Sequence, residues 1–240
     1  MVQESTQFQL PPAPPPPPVI VISDIHELFH VAELQLSTGD ESDKIKAIYM
    51  LQHSLVNTRA AMDGGACVCP PAVMRGVLGC LKNKELAKPA TKVLLALCLR
   101  ECDRRVAVEE GAVGKVVEAL VDLDGGAVAE RALAALELLC TVAEGAAELR
   151  AHALVGPMMV EVMRRMETTR GRENAIGILA VIYSGGGDAV GFAPQEEVAR
   201  VVMLAMQGDC SARGKRKGAQ LLKVLQENEN ERLDLTQEVE

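Results

Sequence analysis

The sequence predicts an all-α protein, a right-handed solenoid of about four stacked helical repeats behind a disordered proline-rich N-terminus. Three observations carry this expectation: an aliphatic composition, a recurring leucine, and helices too apolar to stand alone. Hydrophobic residues make up 48% of the 240, aromatics only 2%, and there is no Trp. A core of Ala, Val, Leu and Met favours helices packed closely on helices, because these are strong helix formers or small side chains that let backbones approach. The length suits one domain or one short repeat array.

The period sets the architecture. Leu51, Leu97, Leu139 and Leu179 each lie near the end of an apolar helical run, at spacings of 46, 42 and 40 residues. That interval fits the roughly 40–47 residue unit of armadillo and HEAT arrays. The similarity extends beyond length. Leu97-Cys98 leads through Arg105-Val106-Ala107-Val108 to Gly111-Ala112-Val113, then Val116, Val117 and Leu120. Leu139-Cys140 leads in the same way through Leu149-Arg150-Ala151-His152 to Leu154-Val155-Gly156, then Met159, Val160 and Met163. Leu51 leads through Ala60-Ala61-Met62 to Gly65-Ala66-Cys67, then Val73, Met74 and Val77. Each unit reads as a helix, a short bend and a final helix. Between Val128 and Val142 only Glu130, Arg131 and Glu137 are charged. A helix this apolar needs cover on several sides, which only stacked neighbours supply.

Taken in order, residues 1–22 form the first segment, where Pro11 to Pro18 holds seven prolines interrupted only by Ala13. Such a run blocks helix and favours an extended polyproline II spacer, although its P-x-x-P spacing also suits an aromatic-lined groove. Asp24 caps a first helix, with Glu27 three residues on, and a second runs from about Asp43 to Leu55. The repeats occupy 23–226. Ser184 to Gly187 is a flexible joint before a helix from Gln195 to Met206, and a last helix, Ser211 to Gln226, caps the stack with Leu221, Leu222 and Leu225 inward. Residues 227–240 are an acidic flexible tail.

A net charge of −8 and a pI near 5.2 argue against nonspecific nucleic-acid binding, which needs a basic surface. Arg213, Lys215, Arg216 and Lys217 form the one dense basic patch, read as a solvated helix face, a nuclear import signal or a contact for an acidic partner. The seven cysteines, at 67, 69, 80, 98, 102, 140 and 210, include an odd one and sit mostly in apolar surroundings. With no cleavable signal sequence, they read as reduced thiols of a cytoplasmic protein, with nuclear entry left open. No apolar stretch approaches the ~20 residues of a membrane span, so no membrane insertion is expected.

At Ala135-Leu136-Glu137-Leu138-Leu139-Cys140, Ala143-Glu144-Gly145 through His152-Ala153, and Lys215-Arg216-Lys217 with Leu221-Leu222-Lys223, the chain resembles the armadillo-repeat region of plant U-box ubiquitin ligases. The resemblance spans about residues 40 to 226. Ligases of that family carry a U-box ahead of the repeats, with Cys-Pro-Ile and Asp-Pro-Val signatures that recruit the ubiquitin-conjugating enzyme. Nothing in this sequence matches them; Cys69-Pro70-Pro71 lies within the repeats. The resemblance therefore implies substrate recognition without the catalytic adaptor.

Several motifs offer rival chemistry. His26-Glu27-Leu28-Phe29-His30 has the H-E-x-x-H form, in which two histidines a helical turn apart hold zinc and the glutamate deprotonates a bound water. Glu33 and Leu36 stand where an extended motif has Gly and His, so a third ligand would be a distant carboxylate such as Glu41, and two solvated histidines are the plainer reading. Gly111-Ala112-Val113-Gly114-Lys115 evokes a phosphate loop, but its glycines are too close and Val116 replaces the magnesium-binding hydroxyl, so a repeat-joining turn explains it better. Cys67-x-Cys69 and the pair Cys98 and Cys102 lack a correctly spaced partner pair and read as buried small hydrophobes. The methionines at 158, 159, 163, 166, 203 and 206 are packing residues.

The expectation is a protein-binding scaffold with no intrinsic catalytic site, cofactor or metal. The final helices of successive repeats should line a shallow groove, leaving Lys115, Glu118, Glu161, Arg164, Arg165 and Arg200 to a protein partner or ubiquitination substrate. The alternatives are a ubiquitin ligase component whose U-box is supplied elsewhere and, more remotely, a zinc metallopeptidase.

Overall fold

The computed structural model describes residues 24–57, 67–184 and 193–237, with side chains as far as Asn230. The Pro11–Pro18 run, Ala60–Ala66 and the joint from Gly185 onward lie outside the described residues. Twelve helices and no strand occur among those described: α1 (Ile25–Ser37), α2 (Glu41–Asn57), α3 (Pro71–Gly79), α4 (Ala87–Cys98), α5 (Glu101–Glu109), α6 (Ala112–Asp122), α7 (Ala127–Leu139), α8 (Ala143–Ala151), α9 (Val155–Arg165), α10 (Thr169–Tyr183), α11 (Gln195–Gln207) and α12 (Ala212–Gln237).

They stack in two rows. α2, α4, α7, α10 and α12 follow one another, each packed broadly on the next. α1, α3, α6, α9 and α11 form a second row, each touching its neighbour and lying on the first-row helix of its own unit. The core runs unbroken between the rows. Leu51, Leu97, Leu139 and Leu179 are fully buried in it, beside Val116, Leu136, Ile176 and Val202. The all-α solenoid is thus as the composition and period predict.

Local chemistry sets the helix ends. The Asp24 carboxylate accepts the His26 amide at 2.8 Å, opening α1 as expected. The hydroxyls of Thr168 and Ser211 accept the Gly171 and Gly214 amides at 3.1 and 2.9 Å and open α10 and α12. Gly111, at φ 72°, makes the left-handed turn between α5 and α6, a conformation that glycine adopts without steric cost.

Three features differ from the sequence reading. The bends are helices: Arg105 to Val108 lie in α5, and Leu149 to Ala151 in α8, so the internal units have three helices rather than two. Each is nine residues long and buries few side chains, Asp103, Ala107 and Val108 in α5 and Gly145, Ala146 and Leu149 in α8, too few to leave an apolar period. Second, the first row has five helices, and Leu221 of α12 supplies a fifth buried leucine 42 residues beyond Leu179. Third, α12 continues through Gln237, so the acidic residues from Glu227 to Asp234 extend the helix. Glutamate is a good helix former, and the Asn228 side-chain amide donates to the Tyr183 carbonyl at 3.2 Å.

Candidate partner-binding face

Numbering each unit from its buried leucine shows one solvent-facing stripe on the first row. Positions nine, five and two residues before the leucine and two after it share one helix face, because they fall at i, i+4, i+7 and i+11. In α2 they are Ser42, Lys46, Tyr49 and His53; in α4, Lys88, Lys92 and Leu95, with Leu99 just beyond; in α7, Glu130, Ala134 and Glu137, with Thr141 just beyond; in α10, Arg170, Asn174, Gly177 and Val181. In α12 they are Ala212, Arg216, Ala219 and Lys223. All of these except Gly177 are exposed or half-buried. Five stacked helices therefore offer a continuous surface with no helix laid over it.

The two halves of that surface differ in chemistry. On α2 and α4, Tyr49 is 46% exposed and Leu99 61%, beside Lys46, Lys88 and Lys92. Lys46 pairs with Asp43 at 3.0 Å. On α7, α10 and α12 ion pairs cross the surface. Lys217 of α12 binds Glu137 of α7 across α10 and lies 4.0 Å from Glu173. Glu173, buried on α10, also takes Arg213 at 3.0 Å and the Ser211 hydroxyl at 2.5 Å. The basic patch is accordingly split: Arg213 and Lys217 are held by carboxylates, while Lys215 and Arg216 point to solvent.

The six residues expected to line the groove lie on the second row instead. Lys115 and Glu118 are on α6, Glu161, Arg164 and Arg165 on α9, and Arg200 on α11. What the sequence suggests as the final helix of each unit is its middle one, and α7, α10 and α12 end the units. Most of these charges are already paired. Glu118 binds Lys82 at 2.7 Å, a hydrogen bond that holds its carboxyl below the ordinary value. Arg164 binds Glu197 at 2.5 Å and Glu161 at 3.7 Å, and Arg165 reaches Glu161 and the carbonyl of Val121. The Lys115 ammonium donates to the Glu110 carbonyl at 2.9 Å. With Arg75 to Glu110 at 2.9 Å, these pairs tie consecutive units together along the second row. Arg200 is exposed.

The rival motifs resolve differently. His26 and His30 edge a shallow cavity of about 350 Å³ with Phe29, Glu33, Cys67, Val68 and Pro70. The His26 Nδ1 faces the Cys67 thiol at 3.4 Å, and burial pushes that thiol's pKa up. Among the described residues no three His, Cys, Asp or Glu side chains converge to hold a metal ion, and Glu41 is engaged by Asn83 at 2.7 Å. The donor set of a zinc hydrolase is not assembled there. In the glycine-rich turn, the Gly114 amide, which a phosphate would need, donates to the Glu148 carboxylate of α8 at 3.2 Å. Cys98 and Cys69 are buried small hydrophobes as expected, but Cys102 is exposed and Cys67 half-buried. Met159, Met163 and Met166 are core residues, whereas Met203 is 46% exposed.

Two rows of stacked helical units with an open outer face define an α-helical repeat array. The model of the plant U-box protein ARM repeat region matches residues 23–237, and the chain belongs to that family. Similar proteins include U-box domain-containing protein 26 of Arabidopsis thaliana, 34% identical over 161 residues, which are 65% of this chain and 38% of the relative. U-box domain-containing protein 25 of the same plant is 30% identical over 189 residues, 77% of this chain and 45% of the relative. The chain thus spans less than half the length of these curated relatives. The armadillo region of plant U-box proteins is a protein-interaction module of the U-box system, and no helix among the described residues is long and apolar enough to cross a membrane.

Proposed function

We propose that this chain recognises a protein, as substrate or scaffold partner in plant ubiquitination, through the exposed stripe of α2, α4, α7, α10 and α12. The observation that carries the reading is the regularity of that stripe: the same four positions reach solvent in each unit, with Gly177 of α10 the exception, although nothing in a stacked core requires tyrosine, leucine or unpaired lysine there. Arrays of this kind bind by spreading modest contacts over several units around a few buried anchors. The seven cysteines, all free thiols, support a reducing compartment such as the cytoplasm.

Capture from plant extract followed by hydrogen-exchange footprinting tests it. Protection should fall on the first row. Protection confined to Lys115, Glu118, Glu161, Arg164, Arg165 and Arg200 assigns binding to the second row instead. A second reading, ubiquitin transfer with a U-box on the same or another chain, is favoured by the names of the relatives. Incubation of this chain with ubiquitin, activating enzyme and conjugating enzyme should give no ubiquitin chains; chain formation would establish ligase activity in these residues.

A further inference from the structure

We infer that the α2–α4 half of the exposed stripe takes an extended acidic segment of a partner protein, with an aliphatic or aromatic side chain as anchor. The inference rests on the reading of the first row as the docking face and names the chemistry of what docks.

The two halves of the face are not equivalent. Toward α12 the Glu137–Lys217 pair spans α10 and Glu173 holds Arg213; Arg170 and Arg216 stay exposed there, but among the described residues no large hydrophobic side chain of α7, α10 or α12 is exposed beside them. Toward α2, Lys46 is paired with Asp43, and the free cations are those of α4. α4 carries Lys88 and Lys92 and no carboxylate, and neither lysine has an ion-pair partner among the described residues. Their placement opposes the helix's own electrostatics. They are like charges at i and i+4, and Lys88 stands in the first turn, where the unpaired amides already carry positive charge. A partner's carboxylate would relieve both.

Beside the lysines the surface is apolar. Tyr49, Leu95 and Leu99 are exposed or half-exposed around them, and Tyr49 and Leu95 occupy the equivalent position in adjacent units. Neighbouring packed helices lie roughly 8–10 Å apart, and a peptide in the extended polyproline II conformation advances about 3.1 Å per residue and returns its side chains to the same face every third residue. Anchors three residues apart in the peptide therefore match adjacent units. Aliphatic anchors favour a protein segment over nucleic acid, which needs a broad basic surface.

The test uses the full chain and three fluorescein-labelled twelve-residue peptides, read by anisotropy. The first has leucine at every third position with glutamate and serine between; the second replaces glutamate by lysine, the third leucine by serine. The first should bind, and the other two at least tenfold more weakly. A Lys88→Glu/Lys92→Glu variant with an unchanged circular-dichroism melt should lose the first peptide tenfold or more, while Arg200→Glu keeps it. Equal binding of the lysine peptide, or loss with Arg200→Glu and not with the α4 pair, overturns the inference. If no peptide binds while footprinting still maps a captured partner to the first row, the partner chemistry is wrong and the docking face stands. A footprint absent from the first row removes the docking face itself.

Discussion

Glu137 and Lys217 meet directly above Gly177, the residue that occupies in α10 the place Glu137 occupies in α7. A Cβ at Gly177 would come within 2.6 Å of the Glu137 carboxylate and 3.1 Å of the Lys217 ammonium. Glycine thus costs α10 helix propensity and gives the ion pair its path from the third unit to the fifth. A double-mutant cycle of Glu137→Gln and Lys217→Met should give a coupling of about 1–2 kcal/mol. In a Gly177→Ala background, where the pair is displaced, the coupling should fall towards zero in urea unfolding. An unchanged coupling would show that the pair does not need the gap.

Asp103 and Arg100 form a second ionic tie. Asp103 is fully buried, accepts the Cys69 amide at 2.9 Å and lies 3.4 Å from Arg100, which also binds the Cys67 carbonyl. It fastens α5 to the segment leading into α3. Asp103→Ala strands the Cys69 amide, takes from Arg100 its carboxylate, and should destabilise the chain by about 3 kcal/mol.

Burial raises the Asp103 pKa, which fixes the sign of a pH effect. The folded chain holds this proton more tightly than the unfolded chain. Between the unfolded value near 3.8 and the raised folded value, unfolding releases protons, so this group's contribution declines as pH climbs through that window. Above the folded value the penalty is constant. The stability of the native chain relative to Asp103→Asn should therefore fall from the acid side of the window to pH 7, measured by urea unfolding at each pH; a flat difference would contradict the buried, raised carboxyl.

The thiols should react in an order set by burial. Burial pushes the Cys98 and Cys140 thiols up to about 12, and Cys69 higher still, so almost none is thiolate at pH 8. Exposed Cys102 should label with maleimide first, and Cys98 only as fast as the chain opens. Mass spectrometry of a labelling time course gives the order directly, and early modification of Cys98 would contradict the packing.

The architecture was legible in the sequence because the buried leucines carry it: each needs the same cover, and their spacing repeats. The exposed face was not, since it is defined by what remains once both rows are packed. The short helices α5 and α8 left too little periodic signal to mark them, and without them the middle helix of each unit reads as its last. That put Lys115, Glu118 and Arg164 on what read as final helices. Leu221 carried a signal that the reading missed, continuing the spacing by 42 residues. If α12 is a full member of the stack, Leu221→Ala should destabilise by about 2–5 kcal/mol, as a buried leucine does. A loss below about 1 kcal/mol would mark it as a surface cap.

Site-specific photocrosslinking tests the docking face most directly. A photoreactive residue placed at Lys92 on α4 and, separately, at Arg164 on α9 samples the two rows of the same protein against the same captured partner. Adducts from position 92 and none from 164 are the predicted result. Adducts from 164 alone would contradict the account.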